Sequence, residues 1–231
     1  MDWYFHRKTL ADDILDGFVN RGQKAYLIFE RRRMGKTEFL QKDLAPLAEK
    51  KGFIPIYISF YDSAVAPVQL LNYRFEQILY NWNKVLPHRD VRSIEVKSVG
   101  GIELEPLTRR PAPQAPNELL LMDDMIGRLC KEDKVLLLLD EFQDVALHPK
   151  SDAFLKQFRS SIDARAGRVC VVFAGSSLHG LQTIFHDDRK PFYGFATQID
   201  FPAFGDAFIK HCCKGYKQRT RQELPFDEAK E

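Results

Sequence analysis

The chain has 231 residues, an apolar fraction of 45% and a formal charge of +2, which is the profile of a globular protein with room for one large or two small domains. Near-balanced charge gives no case from composition for a nucleic-acid or membrane partner. Met1 to Lys8 lacks the apolar core of a signal peptide, no run approaches membrane-spanning length, and Cys130, Cys170, Cys212 and Cys213 have no metal-ligand spacing, so a cytoplasmic protein with reduced thiols is expected.

The first clear element is Ala25 to Phe29, a short apolar run that reads as a buried strand. It leads into Glu30-Arg31-Arg32-Arg33-Met34-Gly35-Lys36-Thr37. This segment matches the phosphate-binding pattern Gly-x-x-x-x-Gly-Lys-[Ser/Thr] everywhere except at Glu30. From Thr37 to Lys50, Phe39, Leu40, Leu44, Leu47 and Ala48 predict a one-sided helix despite Pro46. Strand, loop and helix in that order aim helix N-terminal N–H groups at an anion. The bland alternative is a basic helix cap with a solvated arginine run.

Phe53 to Phe60 reads as a second strand after Gly52, and a helix follows in which Leu71, Phe75, Ile78 and Trp82 recur at helical spacing. Ile94, Val96 and Val99 before Gly100-Gly101, with Ile102 and Leu104 after, predict a hairpin. Pro106 to Pro116 reads as a proline-rich connector, in which Arg109 and Arg110 are either solvated or a partner contact. Leu119, Met122, Ile126 and Leu129 mark another helix, and Val135 to Leu139 then runs into Asp140-Glu141. Continuous apolar runs are the mark of buried parallel strands, and ligands of open α/β sheets bind beyond the strands' carboxyl ends. Phe154, Phe158 and Ile162 define the next helix, Val169 to Ala174 the next strand, ending in Gly175-Ser176-Ser177. A helix from about Leu178, a short strand from Thr197 to Phe201, and a helix through Phe208, Ile209, Cys212 and Cys213 before a polar tail from Lys214 complete the chain.

Nucleotide hydrolysis needs a phosphate cradle, a held magnesium ion and a group that deprotonates water. Lys36 is the candidate for the outer phosphates, Thr37 and Asp140 for magnesium, and Glu141 for the water. Adjacent carboxylates at a strand end face opposite ways and can serve different partners. The alternative for the pair is a turn cap. Ser176 or Ser177 is either a polar contact to the terminal phosphate or a helix N-cap.

Together with Leu139-Asp140-Glu141-Phe142-Gln143, Gly175-Ser176-Ser177 and Pro191-Phe192-Tyr193-Gly194, the loop resembles the archaeal-type prokaryotic AAA ATPase domain, a STAND-related branch of the P-loop NTPases, over roughly Leu10 to Lys210. The resemblance implies an α/β three-layer sandwich with a five-stranded, mainly parallel sheet in the order 5-1-4-3-2. A core is expected over residues 1–203, with the hairpin and linker as an insertion at about 86–117; residues 204–231 are expected to form the start of a helical lid and a polar tail, a truncated form of the lid that the family usually carries. It also implies ATP with magnesium as ligands, a polar sensor at Ser176 or Ser177, and nucleotide contacts from Arg32, Arg33, Met34, Gly35, Lys36, Thr37 and Glu38. Arg32 and Arg33 match the family's loop; Glu30 departs, and Phe195 stands where the family has an arginine, with Arg189 the nearest substitute.

The expected function is therefore a magnesium-dependent ATPase acting as a switch or motor, with a protein partner or a second copy of the chain as possible partners. A non-catalytic nucleotide-binding module and a DNA-associated ATPase of a mobile-element or defence system are the alternatives. A small-molecule kinase fits less well, since adjacent Asp140 and Glu141 favour water as acceptor.

Overall fold

A computed structural model describes residues 4–61, 65–85, 117–131 and 133–229. The predicted hairpin and connector, with Arg109 and Arg110, lie outside the described residues. Five strands, β1 (Ala25–Phe29), β2 (Phe53–Ser59), β3 (Lys134–Asp140), β4 (Val169–Gly175) and β5 (Thr197–Asp200), form one sheet in the order β2-β3-β4-β1-β5. Every pairing is parallel. The order is the one the resemblance implied, and the expectation of a mainly parallel sheet is met by a wholly parallel one among the described residues.

The central strands β1, β3 and β4 are buried almost throughout, which is why they read as unbroken apolar runs. Pro55 is tolerated in β2 because β2 is an edge strand, where a missing ladder donor costs little. Alternate side chains feed two cores. On one face Ile58, Leu137, Leu139, Val171 and Phe173 pack against the helices α3 (Pro67–Val85), α4 (Glu118–Leu129), α5 (Ser151–Asp163) and α6 (Leu178–Phe185). On the other, Ile28, Leu136, Leu138 and Val172 meet α1 (Lys8–Asn20) and the composite helix α2 (Lys36–Lys50). Helices on both faces make the three layers.

Three local outcomes differ from the sequence expectation. α1 was not anticipated, although Ala11, Ile14, Leu15 and Phe18 are its buried stripe. α2 is not a uniform helix: Lys36–Glu38 passes into a π-helical segment, Phe39–Leu44, before Ala45–Lys50. Pro46 sits at the start of the last piece, just after the Ala45 N–H has bonded to the Leu40 carbonyl, so its missing N–H interrupts a ladder that is already shifted. The carboxyl-terminal helix, α7 (Asp206–Thr220), continues six residues beyond Lys214, where a polar tail was expected. Among its added residues Lys217, Gln218 and Arg219 are good helix formers, and Lys217 and Arg219 suit the negative end of the helix dipole.

Candidate active site

The site lies at the carboxyl edge of β1, β3 and β4, where three connections converge. Leaving β1, the chain turns through the loop and enters α2 at Gly35, whose φ of 82° is left-handed. A side chain there would be strained, which accounts for glycine at this position. Arg33 adopts φ 67° without that freedom, a conformation that costs of order 1–3 kcal/mol and that clusters at ligand clamps. The loop is closed on itself by Lys36, which is 5% exposed and donates from Nζ to the carbonyls of Glu30 at 2.5 Å and Arg31 at 2.9 Å. Burial lowers the Lys36 pKa, and the opposing attraction of Glu141, Asp140 and Glu30 does not fully offset it.

The Glu30 carboxylate accepts the backbone N–H of Arg31 at 2.8 Å and is not among the cleft-lining groups, while Phe29 packs against the core.

From β3, Asp140 is 2% exposed and holds its Oδ2 between two hydroxyl donors, Thr37 at 2.6 Å and Tyr57 at 2.9 Å. Glu141 then takes a left-handed conformation at φ 50°, so that its side chain turns from the strand into the cleft. Its Oε2 accepts from Ser176 Oγ at 2.7 Å and from Gln143 Nε2 at 2.6 Å. Burial alone would raise the Glu141 pKa; the Ser176 and Gln143 hydrogen bonds and the Lys36 charge outweigh it, and the carboxyl is held below its ordinary range. It is ionised at neutral pH, as a base must be.

The end of β4 separates the two serines. Ser177 caps α6 by accepting the Gly180 N–H at 3.3 Å, whereas Ser176 faces the cleft network and also receives Arg32 Nε at 3.4 Å. The result is a cleft of about 220 Å³ lined by Arg32, Arg33, Gly35, Lys36, Thr37, Glu38 and Glu141. Met34 instead packs against the second core through its side chain. Arg189 does not line the cleft: its side chain is 85% exposed and is engaged by Asp187 two residues away. A local carboxylate satisfies it where it stands. Phe195 packs against Phe192 and under the Arg159 guanidinium, 4.0 Å from its ring.

Several contributing residues carried no motif signal. Arg7, 7% exposed, lies over the rings of Phe201 (4.4 Å) and Phe204 (4.3 Å) and donates from Nη2 to the Met34 carbonyl at 3.2 Å. Asp43, in the π-helical segment, anchors this amino-terminal strap by accepting Tyr4 Oη at 2.6 Å and the Arg7 N–H at 2.7 Å, with His6 Nδ1 at 2.6 Å. An aspartate on the buried face of α2, between Leu40 and Leu44, was the available sign. Tyr57 is the other omission. Tyr57→Phe is expected to lower stability by about 1.5–3 kcal/mol, because a buried carboxylate loses one of its donors; urea unfolding checks this, and an unchanged midpoint would show that the bond contributes nothing.

The donor set suits a nucleotide with magnesium. Gly35 opens the cradle, Lys36 is a cation held only by carbonyls within it, and Thr37 with Asp140 offers two oxygens of the hard type magnesium takes. Among the described residues no group of three or more His, Cys, Asp or Glu side chains forms another metal site, and no helix is long and apolar enough to cross a membrane. The four cysteines are free, and burial pushes the Cys130 and Cys170 thiols up to about 11, so both are inert at neutral pH.

No protein-family model matches the chain, and no curated protein matches it in sequence. Solved structures do match. A Walker-type ATPase of Pyrococcus abyssi is 17% identical with a TM-score of 0.64, over 98% of this chain and 61% of that one. The ORC2 protein of Aeropyrum pernix, solved in ADPNP–ADP complexes, is 16% identical with a TM-score of 0.59, over 93% of this chain and 53% of that one. The ORC1 protein of the same organism, solved in complex with DNA, is 14% identical with a TM-score of 0.58, over 97% and 52%. The chain thus shares the fold of these proteins and spans between half and about three-fifths of their lengths.

Proposed function

We propose that the cleft binds ATP with magnesium and hydrolyses it, and that the chain is an ATPase domain of the AAA type in its STAND-related branch. The observation that carries this reading is the Thr37–Asp140 hydrogen bond of 2.6 Å, which joins residues 103 apart in sequence beside Lys36 and Glu141. A hydroxyl and a buried carboxylate held edge to edge at the mouth of a phosphate loop have little structural reason to meet there, and both are magnesium ligands by chemistry. The ADPNP–ADP complexes of one fold neighbour support the same reading.

In this account Lys36 would exchange its two carbonyl partners for the outer phosphate oxygens, and Thr37 and Asp140 would hold magnesium, which would supply charge neutralisation at the phosphoryl group. Glu141 accepts a proton from water as the water oxygen bonds to the terminal phosphorus. The bond from that phosphorus to the bridging oxygen breaks, and ADP departs with the electron pair. In this reading Ser176 and Arg32, joined by a 3.4 Å hydrogen bond, would meet the terminal phosphate. Residues 204–231, with α7, are the beginning of a helical lid in this reading, and residues 1–203 are the ATPase core.

Glu30 favours a second reading, a nucleotide-binding module with little turnover, because its carboxylate adds negative charge beside a polyanion site and occupies a loop N–H. Glu30→Gln keeps that hydrogen bond and removes the charge. It is expected to tighten ATP binding about fivefold, from a repulsion of about 1 kcal/mol in a partly solvated site. Titration with a fluorescent ATP analogue measures it; equal affinities would show that the departure is electrically silent. Phosphate release with magnesium separates the two readings: turnover no faster than that of Lys36→Ala would leave only the binding module. DNA association is a further proposal, suggested only by the DNA complex of one fold neighbour. A gel shift at low salt tests it.

A further inference from the structure

Gln143 is 4% exposed, unusual for an uncharged amide that is normally solvated. It occupies a slot kept open by two glycines. A Cβ on Gly175 would lie 2.3 Å from its Oε1, and a Cβ on Gly180 would lie 2.7 Å from its own Cβ. Both ends of the amide are used: Nε2 donates to Glu141 Oε2 at 2.6 Å and Asp144 Oδ1 at 3.2 Å, and Oε1 accepts the Ser176 N–H at 3.3 Å. The orientation is fixed by chemistry, since a flipped amide would set its oxygen against two carboxylates and its NH₂ against a backbone donor.

The consequence falls on Glu141. Gln143 Nε2 and Ser176 Oγ both bond to Oε2, so one oxygen of the carboxylate is anchored and Oε1 is left for a water in the cleft that Glu141 lines. Glutamate has three side-chain torsions, and Glu141 emerges from a left-handed backbone position that does not by itself select a rotamer. Without the anchor the carboxylate samples other positions, and a misplacement of about 1 Å can cost on the order of 100-fold in rate.

We propose that Gln143 is a positioning residue for hydrolysis, which fixes Glu141 Oε2 and ties it to the Gly175–Ser177 turn so that Oε1 addresses the attacking water. The proposal rests on the ATPase reading above. Gln143 itself is not among the residues that line the cleft, and it acts through Glu141. That restriction makes it separable from a packing role.

The test is a double-mutant cycle on the purified chain. Turnover and ATP affinity are measured for wild type, Glu141→Gln, Gln143→Met and the double variant, methionine being chosen because it fills the slot without polar atoms. The expected result is a turnover about 10- to 100-fold lower in Gln143→Met, ATP affinity within about twofold of wild type, and no further loss when Gln143→Met is added to Glu141→Gln. Wild-type or faster turnover in Gln143→Met overturns the proposal, as does an equal fractional loss in the Glu141→Gln background. If Gln143→Met does not fold, Gln143→Glu keeps the acceptor for Ser176 and lacks the donor, and must show the same loss; wild-type turnover there also overturns the proposal. Failure of the underlying reading looks different: no phosphate release by wild type, or Glu141→Gln as fast as wild type, removes the premise and the proposal with it.

Discussion

Lys36→Ala is expected to weaken ATP binding by about 100-fold. Each charge-assisted bond from an ammonium to phosphate oxygens contributes about 1.5–3 kcal/mol, and about 2.7 kcal/mol corresponds to that factor. Lys36 is already desolvated and already points inward, so little ordering cost is left for the moment of binding. The variant also leaves the Glu30 and Arg31 carbonyls without their donor, so Lys36→Met, which keeps the aliphatic stem, is the companion that separates lost charge from loop collapse. Equilibrium titration with a fluorescent ATP analogue gives both affinities. Affinity equal to wild type in both variants would place the nucleotide outside this loop.

Glu141→Gln is expected to act on the chemical step instead. A general base contributes about 10²- to 10⁴-fold, and turnover should fall within that range while ATP affinity stays within about threefold. Glutamine is nearly isosteric and can still accept from Ser176 through its amide oxygen. It cannot take a proton from water. The two substitutions therefore fail at different stages, Lys36→Ala at binding and Glu141→Gln at turnover, and phosphate release under saturating ATP distinguishes them.

What was legible in the sequence was what depends on short range. The runs from Ala25 to Phe29, Val135 to Leu139 and Val169 to Ala174 announce central parallel strands because both their faces are covered, and no other context is needed to read them. Gly35, Lys36 and Thr37 were legible for the same reason. The remainder of the site is made by residues whose meaning is set by the sheet order. Tyr57 reads as an ordinary strand aromatic, and its hydroxyl reaches Asp140 only because β2 pairs with β3 in a register that sets Ser59 beside Asp140. Gln143 follows two carboxylates and resembles a turn residue until β4 brings Gly175 and Ser176 over it.

Glu30 and Arg189 illustrate the opposite limit. The resemblance made Glu30 a departure in the loop and Arg189 the nearest substitute for a missing arginine, but each is satisfied locally, Glu30 by the Arg31 N–H and Arg189 by Asp187. Short-range partners outcompete distant ones because they need little chain entropy to assemble. The strap from Tyr4 to Arg7 is the converse case: Asp43 gathers it across 36 to 39 residues of sequence, using a buried carboxylate whose donors all come from the same short segment.

The most direct test is a single-turnover experiment with the purified chain in excess over γ-labelled ATP, with and without magnesium, for wild type and Glu141→Gln. The account predicts that both bind the nucleotide, that wild type releases labelled phosphate only with magnesium, and that Glu141→Gln retains intact ATP over the same interval. Equal release by the two proteins, or ATP left intact by wild type in the presence of magnesium, would contradict it.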